Sequence, residues 1–203
     1  MLYFLEKPFA SINHENLTEF YSLRKKTFKD RLDWAVKCQS NMEFDEYDNE
    51  NTTYIFGVKN DTLICSVRFI ETRYPNMITH TFRDFFDDFK IPEGNFIESS
   101  RFFVDKERAS MLLGKGNSVT HHLFLAMVNY ARKHHYDGIL TIVSHAMMLI
   151  IKRSGWNLSV ICKGSSEKKE RVYLLHLPVD DVSQAMLQSK VSQTNTVYLP
   201  TAA

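Results

Sequence analysis

The sequence predicts an α/β protein, a three-layer α/β/α sandwich with helices on both faces of a mixed sheet. Three observations carry this. Strand-like runs come first and then alternate with helical segments. The stretch from Ser118 has the cleanest helical periodicity of the chain. No repeat or linker interrupts the 203 residues, which hold only 7 Gly and 5 Pro.

Element by element, residues 15–28 read as an amphipathic helix, with Phe20, Arg24 and Phe28 on the stripe begun by Leu17. Residues 29–53 are rich in Asp, Glu, Asn and Thr and read as a long irregular loop with one short helical turn. Loops of that length in compact domains are uncommon and usually functional, which draws attention to Trp34, Asp45 and Asp48. Tyr54–Lys59 and Leu63–Glu71 flank Asn60-Asp61 and predict an antiparallel hairpin. Phe82, Phe85, Phe86 and Phe89 predict a short aromatic-faced helix or turn that fills core.

Ile97–Val104 reads as a strand, and 108–116 as a loop leading to Ser118. Ser118 is a good N-cap for a helix marked by Val119, Leu123, Met127 and Ala131, ending near Lys133-His134-His135. Ile139–Val143 is a buried strand, Ser144 caps the next helix, and Gly155 stops it in the left-handed region. Strands at Leu158–Cys162 and Arg171–Leu177 enclose the charged turn Glu167–Glu170, and the tail after about Leu187 reads as weakly ordered. The adjacent pairs His121-His122 and His134-His135 point to different helix sides and are expected at the surface.

The size and 44% hydrophobic content suit one domain over 1–203. Lys plus Arg (25) nearly equal Asp plus Glu (24), so overall charge argues for neither nucleic acid nor a membrane as partner. Cys38, Cys65 and Cys162 are too few and scattered for a disulfide framework or a zinc site. With no basic leader and no apolar stretch approaching about 18 residues, a soluble cytoplasmic protein is expected.

Charges in apolar surroundings mark the candidate site. Arg24 sits on a greasy helix stripe, Arg68 inside a strand, and Glu98 and Arg101 inside another; with Asp45 and Asp48 they make three arginines and three carboxylates. Such groups either pair with one another or line a polar cleft, because an isolated buried charge is costly. A regular strand would turn Glu98, Ser100, Phe102 and Val104 to one side and Ile97, Ser99, Arg101 and Phe103 to the other. Neither side is clean, so one opens to a cleft or a bulge re-aims a side chain. Asp45 and Asp48 can share one side of a helical turn and hold a cation, or belong to a solvated acidic loop. Metal is not expected, since no calcium-loop pattern or spaced histidine pair accompanies them. Gly114-Lys115-Gly116 before the Ser118 helix is either a phosphate cradle or a plain loop. Lys152, Arg153, Lys168 and Lys169 can form one basic edge for an acidic carrier protein, or be separately solvated.

Taken together, Arg24, Phe28, Trp34, Asp45, Asp48, Arg68, Glu98 and Arg101 resemble the characteristic set of the LuxI-type acyl-homoserine-lactone synthases, particularly their EsaI-like enterobacterial members. Leu23–Phe28, Arg31–Trp34, Pro75–Thr79, Glu98–Val104 and Arg153–Trp156 agree with that family in wording. The likeness covers roughly residues 1–180 and stops at the tail.

The resemblance implies a fold similar to GCN5-related N-acetyltransferases, its sheet split by a V-shaped opening with strand 97–104 on one side. It implies an acyl transfer from acyl-carrier protein to the α-amine of S-adenosylmethionine, a substrate rather than a cofactor. Lactone closure with loss of methylthioadenosine then yields a quorum-sensing signal. With an α-amino pKa of about 7.8, roughly a quarter of the amine is neutral near pH 7.4, so a base has little to do. Glu98 is the candidate proton acceptor, Asp45 the alternative, and Arg101 and Arg68 orient the carboxylates. Asp45 and Asp48 suit the ammonium and sulfonium, Trp34 and Phe28 the cation or adenine, and Arg24 the substrate carboxylate. Backbone N–H groups near Phe102 or Phe103 suit the oxyanion. The acyl pocket is expected at Phe124, Met127, Thr141, Val143 and Met147. Thr141 at this position implies a 3-oxoacyl donor, and bulky Phe124 and Met127 a chain of about six to eight carbons. The competing readings are an acetyl-CoA-dependent N-acetyltransferase and a non-catalytic module that binds an acyl carrier.

Overall fold

A computed structural model describes residues 1–192. The elements are β1 (Tyr3–Pro8), α1 (His14–Lys25), β2 (Cys38–Gln39), β3 (Met42–Glu43), β4 (Thr52–Lys59), β5 (Thr62–Glu71), β6 (Phe96–Val104) and α2 (Lys106–Leu113). They continue with α3 (Val119–Lys133), β7 (Gly138–Ser144), α4 (His145–Arg153), β8 (Ser159–Ser165), β9 (Arg171–Leu177) and α5 (Asp181–Ser192). Seven strands form one mixed sheet in the order β1-β4-β5-β6-β7-β9-β8, in which β6 and β7 run parallel and the other pairs antiparallel.

The predicted hairpin is β4–β5, and Asn60 and Asp61 both take positive φ (49° and 59°), as a tight hairpin turn requires. Alternation along β4 and β5 then sorts side chains to two cores. Tyr54, Phe56 and Phe103 pack with Phe20, Tyr21 and Phe28 under α1. Ile55, Ile64, Val67 and Phe69 pack on the opposite face with Leu123, Met127 and Ala131 of α3, Ile151 of α4 and Leu187 and Val191 of α5. Helices thus cover both faces of the mixed sheet, as the element order predicts. The 82–89 aromatics form a short 3-10 turn, Arg83–Phe85, with Phe86 buried on the α1 side beside Leu140, Val172 and Leu174.

Several expectations are corrected. The 108–116 loop is largely α2, whose cap Asp105 accepts the N–H of Glu107 and Arg108; only Ala109 is buried, so its apolar stripe is too thin to read. The edge strand β1 is half-buried without clear alternation, which hid it too. The tail from Leu187 continues as helix to Ser192, because Leu187 and Val191 are fully buried; residues 193–203 lie outside the described part. Ser118 stands at the cap position, but its hydroxyl bonds the His121 side chain at Nδ1 (2.6 Å) rather than a backbone N–H of the helix. His122 is buried, not at the surface, its Nδ1 2.9 Å from the Ser118 carbonyl. Ser144 and Gly155 behave as predicted: the first caps α4 through Met147 N–H, and the second follows α4 at φ 83°.

Two irregularities shape the middle of the molecule. The β6–β7 pairing runs from Phe96↔Gly138 to Ser99↔Thr141 and ends there, while β6 continues along β5 to Val104. The sheet is therefore split beyond Ser99 and Thr141. On the β5 side, Arg68 faces Ser100 and Ser66 faces Phe103, so Arg101 and Phe102 together oppose Val67. This is a β-bulge, with Arg101 at φ 51°.

Candidate functional site

The bulge decides which side chains meet. Regular alternation would put Arg101 and Phe103 on the α3 face. The extra residue instead brings Glu98, Ser100, Arg101 and Phe103 to the α1 face, and Phe102 to Phe124 on the α3 face (5.2 Å between ring centroids). The strand therefore presents a charged side and an apolar side where the split begins.

The other charges arrive from α1 and from the segment after it. Arg24 sits one turn beyond Phe20 on the buried stripe. A π-helical turn, Lys26–Arg31, then widens the helix and buries Thr27 and Phe28; such turns recur at functional sites. The Asp48 N–H bonds the Asp45 carbonyl and the Asp45 N–H bonds Asp48 Oδ2, so a tight turn holds both acids toward β5.

All six predicted charges converge. Arg68 donates from Nη1 to Asp45 Oδ1 (2.5 Å) and Asp48 Oδ1 (3.0 Å), and from Nη2 to Asp45 Oδ2 (3.1 Å). Arg24 Nη1 reaches Asp48 Oδ1 at 2.7 Å, and Arg101 Nη2 reaches Asp45 Oδ2 at 2.8 Å. Tyr54 adds a short hydroxyl bond to Asp48. Glu98 is held through Ser100: Arg68 Nε donates to Ser100 Oγ (3.0 Å), which donates to Glu98 Oε2 (3.1 Å).

Sequence reasoning missed Glu43. It is fully buried on β3, where Oε2 accepts Arg24 Nε at 2.6 Å and Oε1 accepts Arg101 Nε at 3.1 Å. Its available signal is an acid between Met42 and Phe44 within an otherwise polar loop. Ser100 and Tyr54 also belong to the site, although neither stands out in the sequence as a site residue. With Glu43 included, three guanidiniums face Glu43, Asp45 and Asp48, and Glu98 is the surplus carboxylate.

The electrostatics follow that count. Burial pushes the Glu98 carboxyl up to about 7, although Arg68, the Ser100 hydrogen bond and Arg101 draw it back. For Asp48 burial also acts upward, but Arg24 and Arg68 outweigh it and hold the carboxyl well below the usual carboxylate range. Burial and the neighbouring Arg68 and Arg24 lower the Arg101 pKa. Asp45 is the most exposed of the three paired acids, with 8% of its side chain reachable against 0% for Glu43 and 2% for Asp48. Open grooves of about 310 and 500 Å³ lie elsewhere, one along Glu19, Lys26 and Arg108, the other along Phe85, Lys163 and Arg171. Phe28 is buried under the Arg101 guanidinium (5.6 Å) and stacks on Trp34 at 5.1 Å; Trp34 is 41% exposed. Among the described residues, no three His, Cys, Asp or Glu side chains are grouped to hold a metal ion.

On the α3 face, Phe124, Met127, Thr141 and Val143 are buried, and Met147 packs partly buried against them. Phe124 stands between Phe102 and Trp156, whose Nε1 is fixed on the Pro178 carbonyl at 2.8 Å. The Thr141 hydroxyl donates to the Ser99 carbonyl at 2.8 Å, across the last rung before the split. The four basic residues do not form one edge. Lys152 and Arg153 end α4, whose connection leads to Ser159 opposite His176, whereas Lys168 and Lys169 precede Arg171 at the other end of β9. Seven residues of strand, about 20 Å, separate these ends. Lys168 is moreover engaged with Asp33. No described helix is long and apolar enough to cross a membrane.

Comparison with known proteins agrees with this architecture. An acyl-CoA N-acyltransferase from Pseudomonas aeruginosa shares the fold, superposing with a TM-score of 0.58 at 12% identity over 86% of this chain and 99% of that one.

 The sequence model of the autoinducer synthase family matches residues 9–187. An acyl-homoserine-lactone synthase of Dickeya chrysanthemi is 61% identical over 193 residues, covering 95% of this chain and 91% of that protein. The solved structure of a CoA-dependent acyl-homoserine lactone synthase, BjaI, with SAM and isopentyl-CoA superposes with a TM-score of 0.81 at 15% identity, over 98% of this chain and 92% of that one. With nearly the whole fold and both sides of the split inside the matched span, the chain belongs to the autoinducer synthase family, acyltransferases that make acyl-homoserine lactones.

Proposed function

We propose that the protein transfers an acyl group from acyl-carrier protein to the α-amine of S-adenosylmethionine, then closes the lactone with release of methylthioadenosine. The observation that carries this reading is the position of the split: β6 turns Glu98, Ser100 and Arg101 to one face and Phe102 to the other where its pairing with β7 ends. A cationic amino acid on the charged face and an acyl chain on the apolar face then meet through the gap.

On the charged face, the substrate's ammonium and sulfonium exchange with Arg68 and Arg101 for Asp45, the acid an entering cation reaches first. Arg24 has an Nη2 without a hydrogen-bond acceptor, which suits a substrate carboxylate. Trp34 offers an open aromatic face beside Phe28. Glu98 accepts the amine proton as the acyl group transfers, directly or through one water, and no side-chain nucleophile takes part. The bulge frees backbone near Phe102 from regular pairing, which suits an oxyanion donor. In lactone closure the substrate's own carboxylate displaces the sulfonium, a step favoured by holding the chain folded back.

On the apolar face, Phe124 and Met127 limit the chain to about six to eight carbons. A 3-oxo group would draw the Thr141 hydroxyl from the Ser99 carbonyl onto itself, one carbonyl acceptor exchanged for another. The test feeds S-adenosylmethionine with acyl-carrier or CoA thioesters, 3-oxo and unsubstituted, and identifies products by mass spectrometry. Acyl-homoserine lactone with stoichiometric methylthioadenosine is expected; acylated amine without methylthioadenosine would instead indicate a plain N-acyltransferase.

A further inference from the structure

The segment carrying Trp34 leaves the half of the sheet that bears the charge cluster and is caught by the other half. After the π-helical turn, the N–H groups of Leu32, Asp33 and Trp34 bond the carbonyls of Thr27, Lys29 and Phe28, and Asp33 takes φ 50°. Leu32 and Trp34 are left 42% and 41% exposed. Lys168 lies in the turn between β8 and β9, beyond the split and at its open end, because β9 runs antiparallel to β7 and Val172 faces Ser144. Its ammonium donates to the Asp33 carbonyl at 2.6 Å and to Asp33 Oδ2 at 2.9 Å, and Lys29 flanks the same carboxylate at 3.7 Å. Hydrogen bonding to Lys168 and its charge hold the Asp33 carboxyl below its ordinary value.

We propose that Lys168 and Asp33 are a positioning pair: they latch the Trp34 segment across the open end of the split and so set the aromatic face that receives the S-adenosyl substrate. This rests on the function proposed above only for the identity of that substrate. Exposed ion pairs are individually weak, which suits a latch that must release on each turnover. Lys168 then acts on the acceptor substrate rather than on the acyl carrier.

The experiment uses the full chain with Asp33→Lys, Lys168→Asp and the double exchange. Trp34 is read by acrylamide quenching, since the other tryptophan, Trp156, is 1% exposed. Each single variant is expected to raise quenching by roughly twofold and the KM for S-adenosylmethionine by roughly threefold to fivefold, with kcat little changed, and the double exchange to restore both. The KM change should be equal with carrier-bound and CoA-bound donors. Unchanged quenching, no recovery in the double exchange, or a KM effect confined to the carrier-bound donor would overturn the latch. Altered and restored quenching without any turnover of S-adenosylmethionine would keep the latch and reject the substrate.

Discussion

Arg24 and Glu43 meet at 2.6 Å with neither side chain reachable by solvent. Glu43 also holds Arg101, so one carboxylate ties the first helix to the bulge of β6. Removing it leaves two buried guanidiniums short of a partner, which commonly costs about 3–5 kcal/mol. Glu43→Ala is therefore expected to lower stability by about that amount, and Glu43→Gln by less, since an amide oxygen can still accept. Urea unfolding midpoints at constant slope check this; an unchanged midpoint in Glu43→Ala would show that the cluster does not depend on it.

Glu98 gives the second prediction. Its folded pKa of about 7 lies above the ordinary 4.5, so its neutral form is favoured in the fold. The stability it retains below about pH 4.5 is lost as pH rises through about 7, on the order of 3 kcal/mol at most. Glu98→Gln should remove that dependence, and stability curves for the two proteins should diverge between these pH values and run parallel above. Turnover has the opposite sign, because a base must be ionised: activity rises through about pH 7, and Glu98→Gln slows turnover more than it weakens substrate binding. Ser100→Ala removes a hydrogen bond that lowers this pKa, so the rising limb should move to higher pH. A limb that stays in place in Ser100→Ala would separate the pH profile from Glu98.

How much of this was legible follows from what each residue's neighbours revealed. Arg24 announced itself because an arginine on an apolar stripe is out of place, and β5, α3 and β7 because their apolar positions are nearly uninterrupted. The bulge was hidden: a strand pattern fixes only alternate sides, and nothing in Glu98–Val104 marks where one residue is inserted. That single residue reverses the sides of Arg101 and Phe103. Glu43 was hidden because a two-residue strand inside a polar loop has no period to read. The pairing of Lys168 with Asp33 joins positions 135 apart, which local pattern cannot anticipate.

Phe124 supplies a prediction about product. It lies fully buried between Phe102 and Trp156 on the apolar side of the split. Truncation to Ala would cost about 3–5 kcal/mol of stability, so Phe124→Leu is the better probe. It should shift the mass-spectrometric product profile toward longer acyl chains, by roughly tenfold or more per added methylene. An unaltered profile from a folded Phe124→Leu protein would place the chain elsewhere.

The last prediction concerns the carrier. Lys152 and Arg153 are exposed in the final turn of α4, whose opposite side buries Met148 and Ile151 against the apolar core. Their charge is therefore displayed on the outer side of the helix that follows the split strand β7. An acidic carrier guided by such charges gains mainly in encounter and orientation, and that gain fades with salt. Reversing both to Glu is expected to raise KM for a carrier-bound donor several-fold at low salt and to leave KM for a free CoA thioester unchanged. Since Lys168 and Lys169 stand at the far end of β9, their reversal should not reproduce that donor-selective effect. Steady-state kinetics with both donors at two ionic strengths decides it: equal effects on the two donors would remove Lys152 and Arg153 from carrier recognition.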